Sequence, residues 1–143
     1  MPARNAFKQA LAAKQAQIGC WSTLNSPYIS ELMAGAGFDW LLLDTEHTPN
    51  DPALMIQQLQ AVQSERDRPT SAVVRPPWND AVMIKQYLDI GAQSLLLPFV
   101  QDRAEAEAAV AATRYAPRGI RGMGGTTRAS RFGRDTQYVA KAA

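Results

Sequence analysis

Three side chains suited to acid–base chemistry and anion binding stand at the ends of two apolar runs in this sequence. Asp44 and His47 follow the run 40–43, and Arg75 closes the run 71–74. His47 is the only histidine, and because histidine titrates near neutral pH it is the natural general acid or base. Asp44 is placed to orient the imidazole ring and stabilise its charged form. The forked donor of Arg75 suits a carboxylate or a developing oxyanion.

A purely structural interpretation of the same residues stays open. Asp44 and Glu46 would then pair with arginines, His47 would close a loop, and Arg75 would form a salt bridge to Asp44 or Glu46 beneath the site. An arginine at the end of an apolar strand needs such a partner, because charged side chains are rarely buried alone. The position of His47 at a strand end favours a functional role for it.

The elements that must position these groups repeat along the chain. Four apolar runs predict strands, near 18–22, 39–44, 71–75 and 94–98. A helical pattern covers 6–15, and four later helices are predicted to begin after residues that suit an N-cap, namely Ser26, Asp51, Asp80 and Asp102. Apolar strands joined by helical crossovers predict an α/β fold with a parallel sheet.

Two architectures fit this order of elements, an open doubly wound sheet or part of an eight-stranded barrel. The first strand is not followed by a glycine-rich phosphate loop, which disfavours a dinucleotide-binding sheet. A complete barrel takes about 250 residues, so the 143 residues of this chain predict its first half, about four βα units of a TIM-type (β/α)8 barrel. We expect one domain over 1–143, with an Arg/Gly-rich tail over 116–143.

A half-barrel has exposed surfaces that predict association. Two sheet edges and an apolar inner face would be open, so we expect the chain to pair with its own copy or with a complementary half. A homo-oligomer is therefore the expected state.

Parallel folds gather their chemistry at the carboxyl ends of the strands. Trp21 ends the first predicted strand, Asp44 and His47 end the second, and Arg75 ends the third. We therefore expect these side chains on one rim, with Arg75 and Trp21 as candidate substrate contacts, although packing is the commoner role of tryptophan. Asp89 ends a helix, and its position alone predicts only a helix-end contact or a surface pair.

Composition excludes several classes of protein. Apolar residues make up 46% and charged residues 20% of the chain, which is usual for a globular domain. No run approaches the roughly 18 apolar residues of a membrane span, and the N-terminus has no signal-peptide core. The only cysteine, Cys20, excludes an internal disulfide. We expect a cytoplasmic protein that does not contact membranes.

Positive charge is concentrated in one segment. Six arginines and no acid fall between 114 and 134, although the net charge of the whole chain is only +2. Such a segment can hold an anion, a phosphate or an acidic partner surface. A solvated or subunit-facing loop is the simpler expectation. Nucleic acid is disfavoured as a partner because aromatic residues do not alternate with the arginines.

Several segments in fixed order carry a family resemblance over almost the whole chain. They are IGCW at 18–21, AGAGFDW at 34–40, DTEHTPND at 44–51, VRPPWND at 74–80, LDIGAQ at 88–93, TRYAPRGIRG at 113–122 and RASR at 128–131. These segments resemble the HpcH/HpaI aldolases, which are metal-dependent pyruvate aldolases. The family includes 4-hydroxy-2-oxoheptanedioate aldolase and the aldolases of 2-keto-3-deoxy sugar acids.

The resemblance implies a modified eight-stranded barrel, a divalent metal (Mg, Mn or Co) and a hexamer of swapped dimers. It implies reversible cleavage of a 4-hydroxy-2-oxo acid to pyruvate and an aldehyde. By the same resemblance His47 is the catalytic histidine, Asp44 its partner, Arg75 the arginine beside the pyruvate oxygen, and Asp89 an acid lying behind that arginine.

Two departures from the family pattern limit what the resemblance implies. Thr45 stands where glycine is commoner, and its side chain is expected to crowd the rim. The family's metal ligands lie on the fifth and sixth strands, beyond residue 143, so we expect no metal site within this chain and no activity without the complementary half. The alternatives are a non-catalytic half-barrel, which self-associates or complements a missing half, and a small-acid or phosphate-binding module that uses Arg75 and the arginine tail.

Overall fold

The computed structural model describes residues 5–67 and 69–142 and contains one parallel sheet covered by helices. In chain order the elements are α1 (Ala6–Ala12), β1 (Gly19–Ser22), α2 (Pro27–Ala34), β2 (Trp40–Asp44), α3 (Pro52–Val62), β3 (Ser71–Arg75), α4 (Ala81–Asp89), β4 (Ser94–Leu95), α5 (Arg103–Thr113) and α6 (Tyr138–Lys141). The four strands lie in the order β1-β2-β3-β4, and every pair is parallel. The predicted parallel α/β fold is confirmed.

The N-terminal caps explain where four helices begin. The side chains of Ser26, Asp51, Asp80 and Asp102 each accept a hydrogen bond from a backbone amide of the first helical turn. In α2 and α3 a proline follows the cap, where its fixed φ suits the helix and its missing N–H costs nothing. These are the four caps that the sequence predicts.

Strand β4 is shorter than predicted. The ladder ends at Leu95, and the amide of Leu96 adds one further bond to the carbonyl of Val74 at 2.9 Å. Pro98 has no backbone N–H to extend it. In the described part of the chain β4 also pairs on one side only, so its last residues lack a second strand that would hold them extended.

The main core lies between the sheet and the helices. Leu41, Leu43 and Val74 point from the strands into it, and each is fully buried. Leu59 of α3 and Tyr87 of α4 belong to the same cluster. This packing fixes which strand residues face the opposite, inner side, because side chains alternate along a strand.

The inner side of the sheet is covered in part by α1, which differs from the expected open apolar face. The rings of Phe7 and Trp40 lie 5.9 Å apart. Leu42 is 1% and Val73 6% exposed. Trp21, at 47%, and Leu96, at 42%, keep the exposure that an open half-barrel predicts. Helix α1 thus covers the part of that face near the beginning of β2.

The arginine tail is only in part the solvated or subunit-facing loop that was expected, since Arg114, Arg118, Arg131 and Arg134 are exposed but Arg121 and Arg128 are not. Arg121 is buried, and its Nη2 lies 2.7 Å from Asp89 Oδ1. Arg128 donates to the carbonyl of Ile90 and to Gln63 Oε1, at 2.8 and 2.7 Å. These contacts fold the tail back against the end of α4.

Among residues 5–67 and 69–142, every helix is too short or too polar to cross a bilayer.

Candidate functional site

The register of β2 and β3 creates the centre of the site. Asp44 and Arg75 are the last residues of their strands, and they face each other directly in the parallel ladder. Arg75 Nε lies 2.8 Å from Asp44 Oδ1, and Nη2 lies 2.8 Å from Oδ2. This two-pronged contact matches the planar guanidinium to the carboxylate, which is the strongest geometry that such a pair adopts.

Two further groups hold the guanidinium of Arg75. Glu46 Oε2 lies 2.9 Å from Nη1, and the ring of Trp21 lies beneath the guanidinium carbon at 4.5 Å. The side chain of Arg75 is only 14% exposed, and the hydrogen bond to Asp44 raises its pKa further above the ordinary value of arginine. The result is a rigid, permanently positive group at the rim.

Asp44 is ionised in spite of its burial. Burial alone would raise the pKa of this carboxyl, but the hydrogen bonds from Arg75 and from the backbone amide of Glu46 outweigh it and hold the pKa below the usual value. The amide of His47 lowers the pKa in the same sense. The carboxylate therefore acts as the fixed counter-charge of Arg75.

His47 is placed differently from the expectation. Its side chain is 73% exposed, and its Nε2 lies 3.5 Å from Glu46 Oε1. Asp44 does not reach the imidazole, because Arg75 and the backbone amides of Glu46 and His47 occupy its oxygens. Glu46 is thus the carboxylate that links His47 to Arg75. Both structural partners proposed for Arg75, Asp44 and Glu46, are present at once.

A partly buried relay of polar side chains holds the loop that carries His47. Asn50 Nδ2 and Thr48 Oγ1 donate to the carbonyl of Asp44 at 3.0 and 2.7 Å. Gln58 in α3 donates to Asn50 Oδ1 at 2.8 Å and accepts from Ser30 in α2 at 3.2 Å. Sequence reasoning missed Gln58 and Ser30. A glutamine within an otherwise apolar helix face was the only available signal.

Thr45 does not crowd the rim, contrary to the expectation. It is 4% exposed, and its hydroxyl donates to the carbonyl of Arg75 at 2.6 Å. Its own amide donates to the same oxygen at 3.0 Å. Strand alternation turns this side chain away from Asp44 and into the protein, where it extends the contact between β2 and the end of β3.

The chain is similar to proteins of one known family. The family model described as HpcH/HpaI aldolase/citrate lyase matches residues 17–132. The chain belongs to the HpcH/HpaI aldolase/citrate lyase family. It is 56% identical over 140 residues to a 4-hydroxy-2-oxo-heptane-1,7-dioate aldolase of Salmonella dublin, covering 97% of this chain and 52% of the relative. A relative of the same name from Shigella sonnei is 55% identical over 139 residues, covering 96% and 52%.

Solved structures of the family carry the same fold. An HpcH/HpaI aldolase/citrate lyase family protein of Burkholderia cenocepacia superposes with a TM-score of 0.91 at 36% identity, over 96% of this chain and 55% of the other. Macrophomate synthase superposes with a TM-score of 0.77 at 26% identity, over 99% and 50%. These neighbours are TIM-barrel-like, so the predicted half-barrel relationship is confirmed: the chain spans about half the length of the relatives that it matches.

Asp89 does not join the rim of this HpcH/HpaI chain. It is the last residue of α4, which runs back from the carboxyl end of the sheet, so Asp89 lies at the opposite end from Arg75. Its carboxylate pairs with Arg121, and its carbonyl accepts from the amide of Ala129 at 3.0 Å. Within one chain it makes the helix-end contact that its position predicts, and the family role implied for it next to Arg75 has no geometric support here.

An apolar platform flanks the rim beyond β3. The rings of Trp78 and Phe99 stack 5.1 Å apart, and they are 53% and 61% exposed. Phe99 has a φ of 58°, a left-handed conformation that costs a non-glycine residue about 1 kcal/mol. Trp78 follows the end of β3 and Phe99 follows the end of β4, so the platform lies at the same end of the sheet as Arg75.

The rim carboxylates do not form a metal site. HpcH/HpaI aldolases are generally metal-dependent. In the part of the chain that the structure describes, no group of three or more His, Cys, Asp or Glu side chains could hold a metal ion. Both oxygens of Asp44 and Oε2 of Glu46 already bind Arg75. A divalent cation would have to compete with a guanidinium for each of them.

Proposed function

We propose that this chain supplies the proton-transferring and oxyanion-binding groups of a pyruvate aldolase, which cleaves a 4-hydroxy-2-oxo acid to pyruvate and an aldehyde. The observation that carries the proposal is the fixed guanidinium of Arg75 at the rim, with an exposed imidazole in the same cluster. The names of the Salmonella dublin and Shigella sonnei relatives support a dicarboxylic substrate of the heptanedioate type.

Arg75 keeps donors for a substrate in spite of its three protein contacts. A guanidinium has five N–H groups, and Nε, Nη1 and Nη2 each give one to Asp44 or Glu46. One N–H remains on each terminal nitrogen, in the plane of the guanidinium. They can bind the 2-oxo oxygen or the carboxylate of the substrate, and they face the charge that develops on that oxygen.

His47 is assigned the proton transfer. It accepts the proton of the substrate's 4-hydroxyl as the bond between C3 and C4 breaks, so that C4 becomes an aldehyde carbonyl and the electron pair of the bond passes to the enolate of pyruvate. Protonation at C3 then yields pyruvate, which balances the reaction without an added oxidant or reductant. The exposure of His47 leaves its ring accessible from the rim.

The divalent metal of the family does not enter these steps, because the residues at this rim do not fit one. We propose that the metal ligands belong to the complementary half of the barrel, as the lengths of the relatives suggest. The composition of the chain supports a cytoplasmic location as part of the same proposal.

Complementation tests the aldolase function. The chain is co-expressed with the C-terminal half of the Salmonella dublin relative, and pyruvate release from 4-hydroxy-2-oxoheptanedioate is measured in the presence of Mn²⁺. We expect release from the mixture and none from either half. A complemented barrel that folds, as shown by circular dichroism and co-elution, yet releases no pyruvate would contradict the proposal.

The sheet edges support a second proposal, that the chain associates through them. In the described residues β1 pairs only with β2, and β4 only with β3. Apolar side chains beside these edges are exposed, with Ile18 at 71%, Leu96 at 42% and Val100 at 40%. Open edges with apolar neighbours promote pairing with another chain, which is also the basis of the non-catalytic half-barrel alternative.

A further inference from the structure

A large cleft lies at the amino-terminal end of the sheet, on the side away from the rim. It has a volume of about 770 Å³ and runs between α1, β4, α5 and α6. Five cationic side chains line it: Lys8, Arg114, Arg118, Arg121 and Lys141. None of the described residues in its lining is acidic. Such a concentration of one charge in a concave surface attracts anions.

Most of this positive charge is not neutralised by the protein. Within residues 5–67 and 69–142, carboxylates reach only two of the five cations, since Arg121 pairs with Asp89 and Lys141 lies 3.8 Å from Asp135. Lys8, Arg114 and Arg118 form none of the described ion pairs. Three positive charges around the cleft are therefore available to a ligand.

Arg121 gives independent support for a bound anion. Its side chain is 3% exposed, and it is held between the ring of Tyr115 at 4.6 Å and the hydroxyl of Tyr138 at 3.4 Å. Its Nε is buried and has no hydrogen-bond partner among the described residues. A buried donor on a charged group is costly to leave unpaired, and the side chain that carries it lines the cleft.

We propose that this cleft binds a small organic polyanion, either a polycarboxylate or a phosphate ester. The separation of the cations over several elements suits a ligand with two or more anionic groups. The apolar strip of Leu88, Leu97 and Val110 on the same lining suits a carbon skeleton between them. This proposal is independent of the aldolase function.

Titration of the chain tests the cleft directly. Citrate, glucose 6-phosphate and, as a monoanion, acetate are added at low ionic strength, and binding is followed by calorimetry and by amide NMR shifts. We expect saturable binding of citrate or glucose 6-phosphate, with shifts in residues 108–121, and much weaker binding of acetate. The stronger of the two ligands identifies the preferred anionic group. Shifts confined to the rim residues 44–48 would overturn the proposal.

A matched pair of variants distinguishes binding of the anion in the cleft from non-specific attraction of anions to a positively charged protein. The double variant Arg114→Gln/Arg118→Gln removes two cations from the cleft, and Arg103→Gln/Arg131→Gln removes two exposed cations that do not line it. We expect at least tenfold weaker binding in the first and less than a twofold change in the second. Equal losses in both would show non-specific attraction and overturn the proposal.

The cleft opens beside the free edge of β4, so a further strand is the rival occupant. The titration is repeated with the C-terminal half of the Salmonella dublin relative bound. Retained binding supports the ligand site. Complete loss of binding on complementation would show that polypeptide fills the cleft, and would overturn the proposal.

Discussion

Arg75 and Asp44 lie opposite each other at the ends of neighbouring parallel strands and share two hydrogen bonds of 2.8 Å. The pairing keeps a positive charge at the rim in a fixed orientation. It also takes Asp44 away from His47, whose carboxylate neighbour is Glu46 at 3.5 Å. Arg75 and His47, the groups proposed to bind the oxyanion and to transfer the proton, therefore belong to one connected cluster through Glu46.

Replacing Arg75 tests whether pyruvate release needs the planar guanidinium of this residue. In the complemented barrel, Arg75→Ala and Arg75→Lys are both expected to lower kcat/KM for pyruvate release by roughly a hundredfold or more, which is the scale of losing an oxyanion donor. Lysine does not rescue, because an ammonium cannot reproduce two parallel bonds to Asp44 and still present a pair of donors. Arg103→Lys on the exposed side of α5 is the control. Near-normal turnover in Arg75→Lys would contradict the role.

Replacing His47 tests the proton transfer. His47→Ala is expected to lower turnover by roughly a hundredfold or more, measured as kcat at saturating 4-hydroxy-2-oxo acid. Because the side chain is 73% exposed, the stability of the chain should not change. Thr136→Ala, at an exposed position in the tail, serves as the matched control. If His47→Ala kept its turnover, another group would have to take the proton.

The Asp44–Arg75 pair predicts a pH dependence of stability. The pKa of Asp44 is lower in the folded chain than in the unfolded chain, so the stabilisation is complete above the unfolded value of about 4 and is lost as pH falls through the folded value. We expect the urea midpoint to drop steadily below pH 4. Asp44→Asn should flatten this drop, whereas Asp67→Asn, in an exposed loop, should not. An unchanged slope in Asp44→Asn would contradict the assignment.

Asp44→Asn is also expected to lower the stability of the folded chain at neutral pH. Asp44→Asn removes the charge that balances Arg75 in a buried pair, and we expect the free energy of unfolding to fall by about 2–3 kcal/mol, as for hydrogen bonds to charged groups. Urea denaturation at pH 7 measures it. A loss below about 0.5 kcal/mol, typical of a surface site, would mean that solvent already compensates Arg75.

Gly91 is expected to be the most sensitive glycine among those that contact the tail. Its φ is +103°, and a Cβ there would meet the guanidinium of Arg128. Gly91→Ala should therefore lower stability by about 1–3 kcal/mol and loosen the tail. Gly125→Ala, where a Cβ would meet open space, is the control. Thermal unfolding of the two variants measures the difference, and equal melting temperatures would contradict the assigned strain.

The open edges predict association at working concentrations. Light scattering is expected to show species heavier than the 15.6 kDa chain, and Leu96→Lys at the β4 edge should shift them towards the monomer, because charge on an edge strand opposes pairing. Leu32→Lys, on the exposed outer face of α2, is the control. A stable monomer at high concentration would contradict the proposed association.

The sequence by itself determined the order of strands and helices up to α5, the four N-caps and the rim residues Asp44, His47 and Arg75, but it did not predict α6. These features are local: a capping side chain or an alternation of apolar residues acts over a few positions. The short segments that resemble the HpcH/HpaI aldolases predicted the relationship to a barrel, and each of them is also a run of neighbouring residues.

Only the tertiary structure decided which charges meet. The sequence allowed Asp44 to serve either His47 or Arg75, and the register of β2 with β3 settled the choice in favour of Arg75. The folding of the tail likewise brings Arg121 to Asp89 and Arg128 to Gln63, 32 and 65 positions apart, whereas the other four arginines of the segment stay exposed, as a solvated or subunit-facing loop predicts. One carboxylate can satisfy only the partners that folding brings within about 3 Å, and separations of this length are set by the packing of the whole sheet and its helices.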